Sequence, residues 1–250
     1  MEPSAFYTGL VAELYAPLRA TVTDPEPYAR FIARSGEPAL ELGCGDGEPL
    51  LDLRSRGLDV EGLDSSPDML RRCREAAARR GLDVVLHQQQ MEAMDLPGRY
   101  RSIFLAGATF TLLPDDDTTR RALLRIRAHL APGGSALIPL FIPEQTELGQ
   151  RREVDCDDGS LLRVTTIGQE RNERERRQTN LLRYERVDGD ATTAVERPWT
   201  LHWHTQTGFA ELARSAGLRT GAILDAEGGP AADTADVFVF WLAVDGDDQR

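Results

Sequence analysis

Lysine is missing altogether from this 250-residue chain, so arginine supplies every basic side chain. A phosphate-binding loop closing on Gly-Lys-Ser or Gly-Lys-Thr is thereby excluded. Positive charge is scarce: 29 basic residues face 41 acidic ones, for a formal net charge of −12. That balance argues against a nucleic-acid surface, which needs a basic face to neutralise phosphates. Cysteine is sparse too. Cys44, Cys73 and Cys156 are odd in number, scattered and free of any C-x-x-C pair. Neither a disulfide framework nor a cysteine-based zinc site is expected. Long apolar runs are absent; the run Val237–Val244 has strand length and falls far short of a membrane span. The opening Met1-Glu2-Pro3-Ser4 is acidic and polar, unlike a secretory signal. These absences lead us to expect a cytoplasmic protein without nucleic-acid or membrane partners. At 41% hydrophobic residues, the length suits one sizeable core.

What is present begins with a short apolar run, 38–42, that carries Glu41 and breaks into Gly43, Gly45 and Gly47. A second run, 58–63, ends at Asp64. Strand, glycine loop, helix, strand and acid make half of a nucleotide-binding α/β sheet. The glycine spacing discriminates between ligands. A dinucleotide loop, G-x-G-x-x-G, would need glycine at 48 or 50, where the chain has Glu48 and Leu50. Glu41, Asp46 and Glu48 would also repel a pyrophosphate. A ligand with a cationic end and a ribose fits them.

The periodicity predicts strands near 38–42, 58–63, 83–87, 101–106 and 135–141, and helices near 48–56, 67–80 and 115–130. The fold class expected is α/β: a Rossmann-like, doubly wound, mostly parallel seven-strand sheet. An antiparallel insert follows the fifth strand, with strands near 151–156, 160–171, 176–187 and 192–203. Turns are expected at Asp157-Asp158-Gly159 and Asp188-Gly189-Asp190. A single domain, 1–250, divides into a helical lid (1–36), a ligand-binding core (37–141), the insert (142–200), and a closing helix and strand hairpin (201–250). The sign-alternating run 171–177 reads as a solvated hairpin tip.

The segments 39–47, 64–70, 86–97 and 130–134 together resemble the class I S-adenosylmethionine (SAM)-dependent methyltransferases. The similarity is to the small-molecule type, such as antibiotic-sugar N-methyltransferases and glycine N-methyltransferase. It implies SAM as cofactor and S-adenosylhomocysteine as product. It implies that Gly43, Cys44, Gly45 and Gly47 cradle the ligand and that Glu41 offsets its ammonium. Asp64 would accept the ribose hydroxyls, with Ser65 and Met69 following it. Gln90 and Met91 fall at the adenine turn, where the family usually has an acid and this chain an amide. Ala106 and Gly107 would leave space beside the sulfonium. Tyr7 or Tyr15 would cap the site as an N-terminal lid, and Phe110 and Trp203 would line the acceptor pocket.

For the chemistry, strand period places Thr200, His202 and His204 on one face. Either histidine is a candidate general base for an oxygen acceptor. No metal is expected there, for want of a nearby acid or cysteine. The expected activity is methyl transfer from SAM to the N or O atom of a small molecule. The alternatives are a protein or peptide methyltransferase and a SAM-binding module that transfers nothing; a homodimer is left open.

Overall fold

A computed structural model describes residues 6–19, 23–156 and 158–244 of the chain. Residues 1–5 and 20–22 of the expected lid, Asp157 of the expected turn, and the last six residues lie outside the described part.

The sheet grows outward from β1 (Ala39–Leu42), whose four residues are all buried. It pairs in parallel with β2 (Val60–Asp64) and β4 (Tyr100–Phe104). β3 (Leu86–Gln88) lies at one edge beside β2. On the other side β4 pairs in parallel with β5 (Leu130–Phe141). The chain closes with an antiparallel strand between β5 and the far edge. The final seven-strand order is β10-β11-β5-β4-β1-β2-β3, with β10 at Leu218–Leu224 and β11 at Val237–Val244. β1 is the point where the winding reverses, so the crevice at its carboxyl end is where such folds hold ligands.

Alternation along β1 divides the core. Leu40 and Leu42 join the layer of α5 (Asp116–His129) and α6 (Gln206–Ser215), packing with Leu123, Ile126 and Phe209. Ala39 faces the opposite layer, built from α2 (Glu26–Ser35), α3 (Leu50–Ser55) and α4 (Pro67–Arg79). Glu41 shares the parity of Ala39, which sends a carboxylate toward that apolar layer. The helices start where the chain supplies caps. Ser66 accepts from Met69 N ahead of α4, Asp115 from Thr118 N ahead of α5, and Thr205 from Gly208 N ahead of α6.

Between β5 and α6 stands the insert, a separate antiparallel sheet in the order β6-β7-β8-β9. Its strands are β6 (Arg151–Asp155), β7 (Leu161–Asn172), β8 (Arg177–Asp188) and β9 (Ala191–His202). Residues 142–150, placed in the insert by its expected bounds, carry no strand. β5 begins at Leu130, five residues ahead of the strand start expected near 135.

The N-terminal helix α1 (Leu10–Leu18) rests on this second sheet. Leu14 and Leu18 are buried against Leu162, and burying a leucine contributes about 1.5–3 kcal/mol. Arg186 of β8 pairs with Glu13 at 2.8 Å, and Arg152 donates to Leu18 O at 2.9 Å. The helix start is held from the other side, where Gly9 N donates to Asp68 at 2.8 Å and Ser66 Oγ donates to Tyr7 O at 2.5 Å. Tyr7 and Tyr15 are thereby fixed over the crevice at the end of β1.

Candidate active site

A cleft with about 770 Å³ of empty space opens at the carboxyl ends of β1 and β2. Its floor is Gly43 and Gly45, its side is Asp64, Ser65 and Met69, and Gln90 and Met91 close one end. Asp64 is oriented before any ligand arrives: Oδ2 accepts from Gly45 N at 2.9 Å and Oδ1 from Ser66 N at 2.8 Å. Each carboxylate oxygen keeps a further lone pair for a diol. Burial raises the Asp64 pKa, and these backbone donors oppose that rise. Gly45 takes φ 54°, a left-handed conformation that a side chain would strain.

Behind the glycines lies Glu41, 1% exposed, with both carboxylate oxygens buried and unpartnered. Burial drives its pKa well above the usual carboxylate range, and Asp64 and Asp46 push the same way. A buried acid without a donor is costly, so this is a position poised for a cation. Nearby, burial and Glu41 push the Tyr28 phenol up to about 12.

Tyr7 and Tyr15 form the roof, ring centroids 5.3 Å apart and nearly perpendicular. Tyr7 lines the first cleft and two further cavities between the core, α1 and the insert. Trp199 and Thr179 border the second; Tyr184, Asn180 and Trp199 border the third. Trp199 Nε1 is buried in this wall, close enough to the Tyr7 hydroxyl to act on its phenol. Burial raises the phenols of Tyr7, Tyr15 and Tyr184, so all three stay protonated at neutral pH.

Several expected site residues sit elsewhere. Cys44 is buried among the residues on the far side of the loop, its Sγ 2.7 Å from where a Cβ on Gly62 would lie. Gly47 serves packing: a Cβ there would meet Cys73 Sγ at 2.7 Å and Leu51 at 2.9 Å. Ala106 packs against the α2–α4 layer, and neither it nor Gly107 lines the cleft. Phe110 is a core residue, 0% exposed, edge-on to Phe209 at 5.6 Å; its neighbours Thr109 and Leu112 face the cleft instead. Trp203 lies past the end of β9, where strand alternation no longer applies. It is buried under the Arg171 guanidinium, 4.3 Å from its ring centroid. The expected base is displaced too. His202 and His204 are 4% and 0% exposed, line none of the three cavities, and cluster with Asp116. The sequence reading found no acid near these histidines; the fold brings one from α5.

Sequence reasoning missed Gln89, which lines the cleft while its amide is held to the backbone of Asp95 at 2.7 and 3.2 Å. It missed Trp199, whose signal was present in the same aromatic segment as Trp203.

Residues 39–134 match the family model for a methyltransferase domain. The dTDP-3-amino-3,6-dideoxy-alpha-D-glucopyranose N,N-dimethyltransferase of Streptomyces fradiae is 31% identical over 158 residues, 57% of this chain and 58% of that protein. The chain thus spans under two thirds of that relative's length. Among solved structures, the CcbJ methyltransferase from Streptomyces caelestis superposes with a TM-score of 0.79 at 22% identity, covering 97% of this chain and 99% of that one. SAM-bound CalS10 from Micromonospora echinaspora, an amino pentose methyltransferase of calicheamicin biosynthesis, superposes at 0.70 with 21% identity, covering 94% and 97%. Residues 39–134 thus match a methyltransferase domain model, and the chain as a whole has the Rossmann-like methyltransferase fold.

Proposed function

We propose that this chain is a SAM-dependent N-methyltransferase acting on the amine of a small molecule. The observation that carries the reading is the character of the acceptor wall. Tyr7, Tyr15, Tyr184 and Trp199 line it, the phenols are held protonated, no histidine lines the three cavities, and the one carboxylate lining the second and third, Glu170, is exposed to solvent. An oxygen acceptor would gain from a base; an amine arriving in its neutral form needs only position and a dry site.

SAM, when bound, supplies an electrophilic methyl group on a cationic sulfur. The first cleft fits such a ligand because an oriented diol acceptor lines it and an unpartnered buried acid, Glu41, lies two residues ahead of its glycine floor, behind the lining itself. Glu41 would hold the ammonium, Asp64 the ribose hydroxyls, Gln90 and Met91 the adenine, and Gly43 and Gly45 the close-lying backbone. Ser65 and Met69 would complete the wall. Tyr7 and Tyr15 would exclude water and offer electron-rich rings to positive charge. Insert and lid roof the acceptor cavities, which favours a small molecule over a protein chain. The relatives' names point to a sugar amine as the first class to test.

The test is incubation with SAM and matched small molecules, amino sugars with their hydroxy counterparts, followed by mass spectrometry and S-adenosylhomocysteine quantification. Methylation confined to the amines is expected. Methylation of the hydroxy counterparts instead, or SAM binding with no transfer to any acceptor, would overturn it.

A further inference from the structure

Three ligand-type side chains meet at a point that methyl transfer leaves unused. Asp116 opens α5, His202 ends β9, and His204 lies just ahead of the Thr205 cap of α6. Asp116 Oδ1 is 3.5 Å from His202 Nε2 and 3.6 Å from His204 Nδ1. One donor atom from each of the three lies within 4.8 Å of the others. The two rings stand at 89°, centroids 4.8 Å apart.

Hydrogen bonding does not account for this cluster. Asp116 Oδ1 and His204 Nδ1 are both buried without a hydrogen-bond partner, and His204 is 0% exposed. His204 Nε2 lies 3.3 Å from Thr119 Oγ1, which fixes the ring with Nδ1 toward Asp116. Fully buried polar atoms are almost always satisfied in folded proteins; here Asp116 Oδ1 and His204 Nδ1 are left over facing each other, and His202 Nδ1 is unpartnered as well.

The two spacings from Asp116 suit a metal, and the remaining histidine–histidine gap, at most 4.8 Å, would close on binding. Bonds of about 2.0–2.1 Å at a tetrahedral centre set neighbouring ligand atoms roughly 3.3–3.4 Å apart. Two imidazoles and a carboxylate are a donor set for zinc and other borderline divalent ions. The outer groups are in place: Thr119 orients His204, and Arg176 Nη2 reaches Asp116 Oδ2 at 2.5 Å. Arg176 adopts φ 51°, the one non-glycine residue in the left-handed region among the described residues. Arg177 and Asp115 are the other charged groups acting on His202, and their signs offset.

We propose that Asp116, His202 and His204 form a divalent transition-metal site that clamps the last strand of the insert to the first turn of α5.

The test uses the untagged chain, freed of metal by chelation and titrated with cobalt(II). One equivalent should produce the intense visible bands of a four- or five-coordinate cobalt centre. Zinc should displace them and raise Tm. Asp116→Asn changes a half-exposed side chain and keeps its shape; it should lower cobalt affinity at least about tenfold, with circular dichroism unchanged. His204→Gln should do the same. Two results would overturn the site: only the faint six-coordinate spectrum and no zinc shift in Tm for the parent chain, or undiminished binding in folded Asp116→Asn.

Discussion

Glu41 carries opposed demands. Without a ligand its carboxyl is buried and unpartnered, and its pKa stands well above the carboxylate range because of burial and then Asp64 and Asp46. For an acid raised in this way, the contribution to stability is full below the unfolded value near 4.5 and is lost as pH rises through the folded value. Glu41→Gln should therefore raise the Tm of the ligand-free chain at neutral pH while weakening SAM binding by about tenfold or more. Calorimetry in buffers of differing ionisation enthalpy should show the parent chain releasing a proton as SAM binds. Unchanged affinity in Glu41→Gln would place the ammonium elsewhere. Asp64, Gly45 and Gln90 were legible in the sequence because fixed spacing from a strand end determines which backbone positions meet at the crevice. Gly47 and Cys44 share that spacing, but whether a loop residue faces the ligand or the helix behind it depends on packing that spacing does not encode.

Among the elements, β9 shows where legibility stops. Its existence and register follow from alternation, but alternation gives two faces without saying which meets the cavity, and it ends with the strand at His202. Trp199 therefore borders the acceptor cavities, whereas Trp203 turns under Arg171. Trp199→Ala should raise the acceptor KM by about tenfold, given about 1.4 kcal/mol lost with the ring. SAM affinity should hold within about twofold, because Trp199 does not line the first cleft. Steady-state kinetics alongside SAM titration checks the split; parallel loss of both affinities would mean that the insert supports the cofactor cleft as well. Asp116 and the two histidines illustrate the same limit. They are distant in sequence, and only the docking of the insert on α5 brings them together.

At the scale of the whole molecule, strand–helix alternation was enough to predict a seven-strand sheet with a second sheet inserted after β5. The lid's placement was less accessible. Its amphipathic spacing shows that one face is buried, but Leu14 and Leu18 find their partner in Leu162 of the insert. Helix α1 is therefore held by the insert through Arg186 and Arg152, by α4 through Asp68, and by the glycine loop through Arg19, which reaches Asp46 at 3.3 Å and Glu48 at 2.5 Å.

Tyr7 borders all three cavities at once. With Tyr15 and Leu112, each bordering the first cavity and one other, it forms a party wall between two rooms. Cofactor exchange that displaces Tyr7 would also displace a wall of the acceptor cavities. On an acceptor amine able to take two methyl groups, each turnover should then end in release of the once-methylated product. Time courses at excess acceptor should show that product accumulating in solution before the twice-methylated one. Direct appearance of the latter without a lag would mean that the two rooms open separately.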